Sequence, residues 1–402
     1  MNISYHTLGC KLNWAETEEL KNELEKLGQT TVPFLTNEKI AIIRACGVTC
    51  NASQSTREYI RRAKKMGKIV IALGCLENKD LPEIDYVLHT NEAAIETVMN
   101  IAESEPIEKN TKTKKYLDRT RAFLKIQTGC NFACAYCIIP RFRGQTESVP
   151  AKKIIEKIKQ LEKEKYKEVT LTGVNICLYR DGKTDLAGLL KKILKNTKIE
   201  RIRLGSLDPR LISENLIKLY PDNRLMPHWH LSLQSGSDTV LQRMRRGYTT
   251  QQYTLIVEKL RNRYPLFSLT TDIIVGFPEE TSEEFSQTEK FIEKIQFSKV
   301  HIFPFSPRPQ TAAFEMKKQI QENIKKERCA KLRQIAEKTA QKFTQQFIGQ
   351  RRPILWESKQ GKNWEGYTPE YLRVFIKSTK NLRNKITTIK LDKNNLKYKD
   401  FS

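Results

Sequence analysis

Short apolar segments alternate with longer amphipathic ones along most of the chain, and this alternation restricts the fold more than any other feature. Between residues 123 and 303 there are six runs suited to buried strands: Phe123–Gln127, Glu168–Thr172, Arg201–Gly205, Trp229–Leu233, Ser268–Val275 and Lys299–Phe303. Helical patterns separate them, as at Ala151–Lys163, Leu186–Lys195, Tyr253–Arg263 and Glu283–Ile295. Successive parallel strands need right-handed crossovers with helices over the sheet. Six such units in one run therefore predict a partial (β/α)6, TIM-like barrel over residues 117–345, with its working residues at the C-terminal ends of the strands.

The same alternation precedes the barrel. Ile3–Leu8, Ile40–Ala45, Ile69–Leu73 and Tyr86–Leu88 read as strands, and Trp14–Leu27 and Ser53–Met66 as helices, which predicts an α/β parallel-sheet domain over 1–110. Glu103–Arg121 is almost wholly charged or polar, contains Pro106, and reads as a linker. A long basic helix from about Ile320 to Phe347 follows the barrel pattern. Beyond it Pro353–Glu357, Tyr371–Ile376 and Ile386–Leu391 predict a small β-barrel over 346–402. The fold class is therefore α/β, with a small all-β appendage.

Charge narrows the partners. The 402 residues carry 71 Lys and Arg against 46 Asp and Glu, a net of +25, which favours a polyanion such as nucleic acid. Residues 346–402 hold 13 Lys and Arg against 5 Asp and Glu, the densest excess, as expected of a small barrel that binds RNA; an appendage with a solvated basic face has the same composition. No run reaches the roughly 18 apolar residues that cross a membrane, and Met1–His6 has no secretory pattern. The expected compartment is the cytoplasm, where thiols stay reduced and nine cysteines serve as core, nucleophiles or metal ligands rather than disulfides.

Two sets of cysteines stand out. Cys130, Cys134 and Cys137 form C-x3-C-x2-C directly after a strand. Three thiolates on one tight loop suit three irons of a cubane cluster, leaving the fourth iron open to a substrate. A four-ligand zinc site would need another donor nearby, and the next cysteine is Cys177. Cys10, Cys46 and Cys75 each follow a candidate parallel strand, and strand ends on one edge of such a sheet meet in space. Cys50, Cys177 and Cys329 read as core or bystander thiols.

The C-x3-C-x2-C motif resembles that of the radical S-adenosylmethionine enzymes. Ile138-Ile139-Pro140-Arg141-Phe142-Arg143-Gly144 after it resembles the methylthiotransferases among them. So do Leu171–Asn175, Arg201–Ser206, His230–Ser237, Thr271–Pro278 and Phe303–Pro309, so that the likeness runs along essentially the whole chain. The opening Thr7-Leu8-Gly9-Cys10-Lys11-Leu12-Asn13 resembles the branch acting on threonylcarbamoyladenosine in tRNA. The branches acting on isopentenyladenosine or on a ribosomal-protein aspartate usually differ there. Gly366–Val374 resembles the RNA-binding TRAM barrel of the tRNA enzymes. One departure stands beside these matches: the family usually has Asn-Thr before the second cysteine, where this chain has Arg44-Ala45.

The resemblance implies two 4Fe-4S clusters, one on Cys130, Cys134 and Cys137 and a second on Cys10, Cys46 and Cys75. It implies S-adenosylmethionine as cofactor, reductively cleaved at the first cluster, and sulfur delivered at the second. The product is a 2-methylthio adenosine at position 37 in the tRNA anticodon stem-loop, made with a one-electron reductant and a sulfur donor. Tyr136 is a candidate to pack against the bound nucleoside, and Gly173 and Asn175 to contact the methionyl end. Ser206, Gln234 and Asp272 lie at strand ends as candidates for nucleoside or methionine contacts. Each of these is equally a polar residue satisfying its own loop, and His228 and His230 read as structural. Outside this class, the alternative is a basic RNA-binding protein with a structural metal and no catalysis.

Overall fold

The computed structural model describes residues 1–34, 38–76, 84–104 and 120–397. The expected linker, with the boundaries at 110 and 117, falls mostly outside the described residues. The chain divides into two compact units. One comprises Met1–Leu117, Gly129–Asn131 and Cys137–Gln145; the other comprises Asp118–Thr128, Phe132–Tyr136 and Thr146–Ser402.

The first unit is built on five strands, β1 (Asn2–Thr7), β2 (Thr30–Pro33), β3 (Ile40–Cys46), β4 (Ile69–Cys75) and β5 (Tyr86–Leu88), in the order β2-β1-β3-β4-β5 and all parallel. The apolar run of β3 is buried along its whole length because both faces of the sheet are covered. Ile40 and Ile42 pack with Leu20 and Leu24 of α1 (Lys11–Lys26) and Ala94 and Val98 of α3 (Asn91–Ser104). The alternate residues Ala41 and Ile43 pack with Ile60 and Ala63 of α2 (Cys50–Lys65). This strand order reverses between β1 and β3, and in such sheets ligands bind beyond the carboxyl ends of the strands at that reversal. The short α4 (Ile139–Arg143) also belongs to this unit.

The second unit contains six parallel staves. β6 (Arg121–Lys125), β9 (Glu168–Thr172) and β10 (Arg201–Leu204) form one sheet, with a minor hairpin of β7 (Gln127–Thr128) and β8 (Glu147–Ser148) alongside. After Gly205 the third stave continues as β11 (Ser206–Leu207), which pairs on through β12 (His228–Leu231), β13 (Ser268–Val275) and β14 (Lys299–Pro304). All six expected barrel strands are present at these positions, and among the described residues no pairing joins β14 to β6, so the barrel is open. The helices α5 (Ala151–Lys163), α6 (Leu186–Asn196), α7 (Glu214–Ile217), α8 (Asp238–Arg243), α9 (Thr250–Arg263) and α10 (Ser282–Ile295) connect the staves. Trp229 and Leu231 lie in the core with Tyr253, Phe291 and Phe297, so the alternate residues His228 and His230 take the other side of the strand, facing the lumen.

The same unit ends in α11 (Glu322–Gln345) and the antiparallel strands β15 (Arg351–Gln360), β16 (Asn363–Tyr367), β17 (Arg373–Lys377), β18 (Ile386–Lys390) and β19 (Leu396–Lys397), ordered β18-β15-β16-β17-β19. The sheet curls round Trp356, Trp364, Val374 and Leu391, a core that also takes Phe343 and Phe347 from the end of α11. This sheet closes the N-terminal end of the barrel. Buried Glu168, the first residue of β9, pairs with Arg203 at 2.8 Å. Arg203 and Arg201 donate onward to the carbonyls of Pro369 at 3.0 Å, Tyr367 at 3.1 Å and Pro353 at 2.7 Å. Burial alone would raise the Glu168 carboxyl, but Arg203, Arg121 and Arg201 outweigh it and hold the pKa below its ordinary value.

Candidate functional site

Cys10, Cys46 and Cys75 stand at the carboxyl ends of the three adjacent strands β1, β3 and β4. Cys46 and Cys75 are direct partners in the parallel register and share one side of the sheet. Cys10 is the residue before α1. A Cβ on Gly9, whose φ is +87°, would lie 2.8 Å from the Cys46 sulfur, so only glycine lets the Cys10 loop approach so closely. Burial pushes the Cys46 thiol up to about 11, and the nearby Cys75 and Cys10 thiols push the same way. Three cysteines at one sheet edge, able to give up their protons on binding, suit a shared cationic cluster. Cys50, four residues after Cys46, is the exposed first residue of α2.

Charged side chains that spacing could not reveal surround this set. Arg143 of α4 donates to the Cys75 sulfur at 3.3 Å, to Glu16 at 2.8 Å and 3.1 Å, and to Asn13 at 2.7 Å. Asn13 in turn donates to the carbonyls of Leu8 and Ala45. Arg44, the departure from the family pattern, is buried against Glu16 at 3.4 Å and bonds Asn91.

The motif cysteines Cys130, Cys134 and Cys137 are each half-buried. The backbone N–H of Cys130 donates to the Gly144 carbonyl at 3.1 Å. Beside it, a Cβ on Gly129 (φ +68°) would fall 1.8 Å from the Gln145 carbonyl oxygen. In the second unit, Ala135 is strapped from both sides: its N–H donates to Met244 and its carbonyl accepts from Ala313. Buried Arg246 donates to the Cys134 sulfur at 3.3 Å, the Tyr136 hydroxyl at 3.4 Å and the Ser232 carbonyl at 3.2 Å. Burial opposes its charge, but Tyr136, Tyr248, Cys134 and Asp208 raise its pKa well above the ordinary value. Among the described residues no three His, Cys, Asp or Glu side chains close on one point as ligands of a single ion do. In a four-iron cluster each cysteine binds its own iron, so its ligands need not converge on one point.

The remaining candidates lie in or just after the barrel strands. Gly173 and Asn175 share a turn with Gln127, whose Oε1 accepts from the Asn175 N–H at 2.9 Å; a Cβ on Gly173 would lie 2.6 Å from the Gln127 carbonyl oxygen. The Asn175 side chain caps the next turn by accepting from Cys177. Ser206 is exposed and pairs in register with His230. Gln234, at φ +75°, is buried, and its backbone exchanges hydrogen bonds with Asp272 and Ile274. The Asp272 carboxylate faces His230 Nε2 at 3.1 Å, while His230 Nδ1 contacts Thr270 at 2.9 Å. Cys177 and Cys329 are buried.

Residues 124–292 match the radical SAM superfamily, and residues 2–99 match the uncharacterized protein family UPF0004. A threonylcarbamoyladenosine tRNA methylthiotransferase, MtaB, of Aquifex aeolicus (strain VF5) is 36% identical, over 87% of this chain and 91% of that protein. The chain belongs to the radical S-adenosylmethionine methylthiotransferases. The Bacillus subtilis (strain 168) protein of the same name is 33% identical over 99% and 95%. A tRNA-2-methylthio-N(6)-dimethylallyladenosine synthase of Dictyoglomus thermophilum is 31% identical over 96% and 94%. The radical S-adenosylmethionine methyltransferase TsrM of Kitasatospora setae, at 11% identity, shares the fold with a TM-score of 0.57 over 78% of this chain and 77% of that one. Membership of this methylthiotransferase family brings S-adenosylmethionine and a 4Fe-4S cluster as cofactors. Among the described residues no helix is long and apolar enough to cross a membrane.

Proposed function

We propose that this methylthiotransferase converts N6-threonylcarbamoyladenosine at position 37 of tRNA to its 2-methylthio derivative. The observation that carries this reading is the near full-length match, at 33% and 36% identity, to two proteins named for that substrate. The C2 hydrogen of adenine is unactivated, so acid–base chemistry cannot replace it and a cofactor must take the hard step. A 4Fe-4S cluster with S-adenosylmethionine would supply one-electron chemistry of the required strength.

In this reading Cys130, Cys134 and Cys137 hold that cluster, and Arg246 fixes Cys134 and Tyr136 from behind. Tyr136 packs against the adenosine, the Gly173–Asn175 turn meets the methionyl end, and Ser206, Gln234 and Asp272 hold the nucleoside or methionine groups. Cys10, Cys46 and Cys75 hold a second 4Fe-4S cluster that presents sulfur. A one-electron reductant and a sulfur donor are then required partners, because turnover consumes both electrons and sulfur. Exposed Arg351, Lys362, Lys377, Lys385 and Lys390 of the terminal sheet supply phosphate contacts to the anticodon stem-loop. The domains proposed are 1–110 for the second cluster, 117–345 for the radical chemistry and 346–402 for RNA, in a cytoplasmic enzyme.

The test is anaerobic turnover with S-adenosylmethionine and a reductant on two tRNAs, one threonylcarbamoylated and one isopentenylated, read by nucleoside mass spectrometry. A 2-methylthio product on the first tRNA alone is expected. Product on the second alone transfers the substrate to the other tRNA branch. Product on neither, from protein that holds iron and sulfide, leaves the protein-directed reaction. Purified protein without iron and sulfide overturns the enzyme reading in favour of a non-catalytic RNA-binding protein.

A further inference from the structure

We infer that Arg143 is a positioning residue for Cys75, fixing the orientation of its sulfur and raising the reduction potential of a cluster bound there. The inference rests on the reading that Cys10, Cys46 and Cys75 hold a second cluster.

The guanidinium is almost fully buried, and all three of its nitrogens are engaged. Nε points at the Cys75 sulfur at 3.3 Å, Nη1 at one oxygen of Glu16 at 2.8 Å, and Nη2 at the other oxygen at 3.1 Å and at Asn13 Oδ1 at 2.7 Å. A planar fork held on two edges cannot swing, so Nε is aimed at the sulfur by its other partners. Those partners are themselves fixed. Glu16 also pairs with Arg44, and Asn13 bridges the carbonyls of Leu8 and Ala45, in the chain just before Cys10 and Cys46. Arg143, Glu16, Asn13 and Arg44 thus form one network touching all three cysteine-bearing segments, and every member lies in the first unit.

This also accounts for the unusual residue before the second cysteine. Glu16 is shared between two guanidinium groups and Glu19 also acts on Arg44, so Arg143 keeps charge to direct at the Cys75 sulfur. Hydrogen bonds and positive charge at a ligating sulfur stabilise the reduced, more negative form of an iron–sulfur cluster. A role limited to anchoring Glu16 would be filled by the two Nη groups alone and would not need Nε on the sulfur.

The test uses the full chain with Cys130, Cys134 and Cys137 all changed to Ala, purified anaerobically, so that only the N-terminal set remains. Roughly four irons per chain are expected. A chain without iron overturns the second cluster and this inference with it. In that background Arg143→Ala and Arg143→Gln are compared by potentiometry followed by electron paramagnetic resonance. Arg143→Ala is expected to shift the reduction equilibrium about tenfold toward the oxidised form, a midpoint about 59 mV lower for one electron. Arg143→Gln, which keeps an N–H donor but no charge, is expected to fall between. Full iron with midpoints unchanged in both variants overturns the inference and leaves the cluster reading standing. If Arg143→Ala takes up no iron, Arg143→Gln decides on the same criterion.

Discussion

Asn13 binds together two turns that are far apart in sequence. Its amide donates to Leu8 at 2.7 Å and to Ala45 at 3.0 Å, and its side chain is buried. Removing it leaves two carbonyls without that donor in a poorly solvated place, which costs about 1–3 kcal/mol. Asn13→Ala is therefore expected to lower the unfolding free energy of the first unit by about that amount and to reduce iron retained per chain, read by denaturant titration and metal analysis. An aspartate at this position keeps the shape but loses the donors, and is expected to do no better. The sequence contained Asn13 in a recognisable string, yet its partners were out of view. Hydrogen bonds linking residues 13, 16, 75 and 143 depend on how strand ends and a short helix meet, which no local spacing encodes. The cysteines were legible because strand ends of a parallel sheet share an edge. The arginines that condition them were not.

Among the elements, α10 shows how a local signal and a distant partner combine. Thr281 and Glu284 form a capping box, and the Glu284 carboxylate also takes Arg243 at 2.7 Å and the Thr239 hydroxyl. Burial works against the charged form, but Arg243, Thr239 and the Thr281 N–H outweigh it and hold the pKa down from 4.5 to about 2. Because the folded value lies below the unfolded one, this stabilisation is present above about 4.5 and is lost as pH falls toward about 2. Unfolding followed from neutral to acid pH is expected to show that loss in the parent and not in Glu284→Gln. Thr281→Ala is expected to cost about 1 kcal/mol at neutral pH. Strands β3 and β4 were legible as apolar runs because they are buried on both faces, and β9 and β13 by their β-branched residues between helical patterns. Strand β2, with sequence Thr-Thr-Val-Pro, is short, polar and at a sheet edge, and β16 carries a glycine in Asn-Trp-Glu-Gly-Tyr. Neither gives a periodic signal, and sheet neighbours rather than their own residues make them strands. Helix α3 did carry one: Ile95, Val98 and Ile101 recur at helical spacing and meet the sheet.

For the molecule as a whole, net charge and its placement set the response to salt. Lys362 and Lys377 are exposed at neighbouring positions of the terminal sheet. Changing each to Ala is expected to weaken tRNA binding without regard to sequence and to reduce the slope of log K against log salt by roughly 1 per lysine, measured by titration at several ionic strengths. The segment Gly366–Val374, read from sequence as a mark of RNA binding, also closes the barrel floor. Tyr371, at φ +72°, lays its ring 4.5 Å from the Arg203 guanidinium and 5.0 Å from that of Arg121, against Tyr367 and His228. Tyr371→Ala is expected to destabilise the barrel by about 2 kcal/mol, read as a lower midpoint of denaturant unfolding for the whole second unit. That floor has a consequence for synthesis. Arg121 meets Glu357, 236 residues later in the chain, and Arg203 meets Pro369, 166 residues later. On the ribosome the staves emerge long before the loop that closes them, so the growing barrel carries an open, arginine-rich end until that loop arrives. The strands from Arg351 to Lys390 belong to the sheet that closes the barrel and carry exposed basic side chains, so a chain truncated before them lacks both at once.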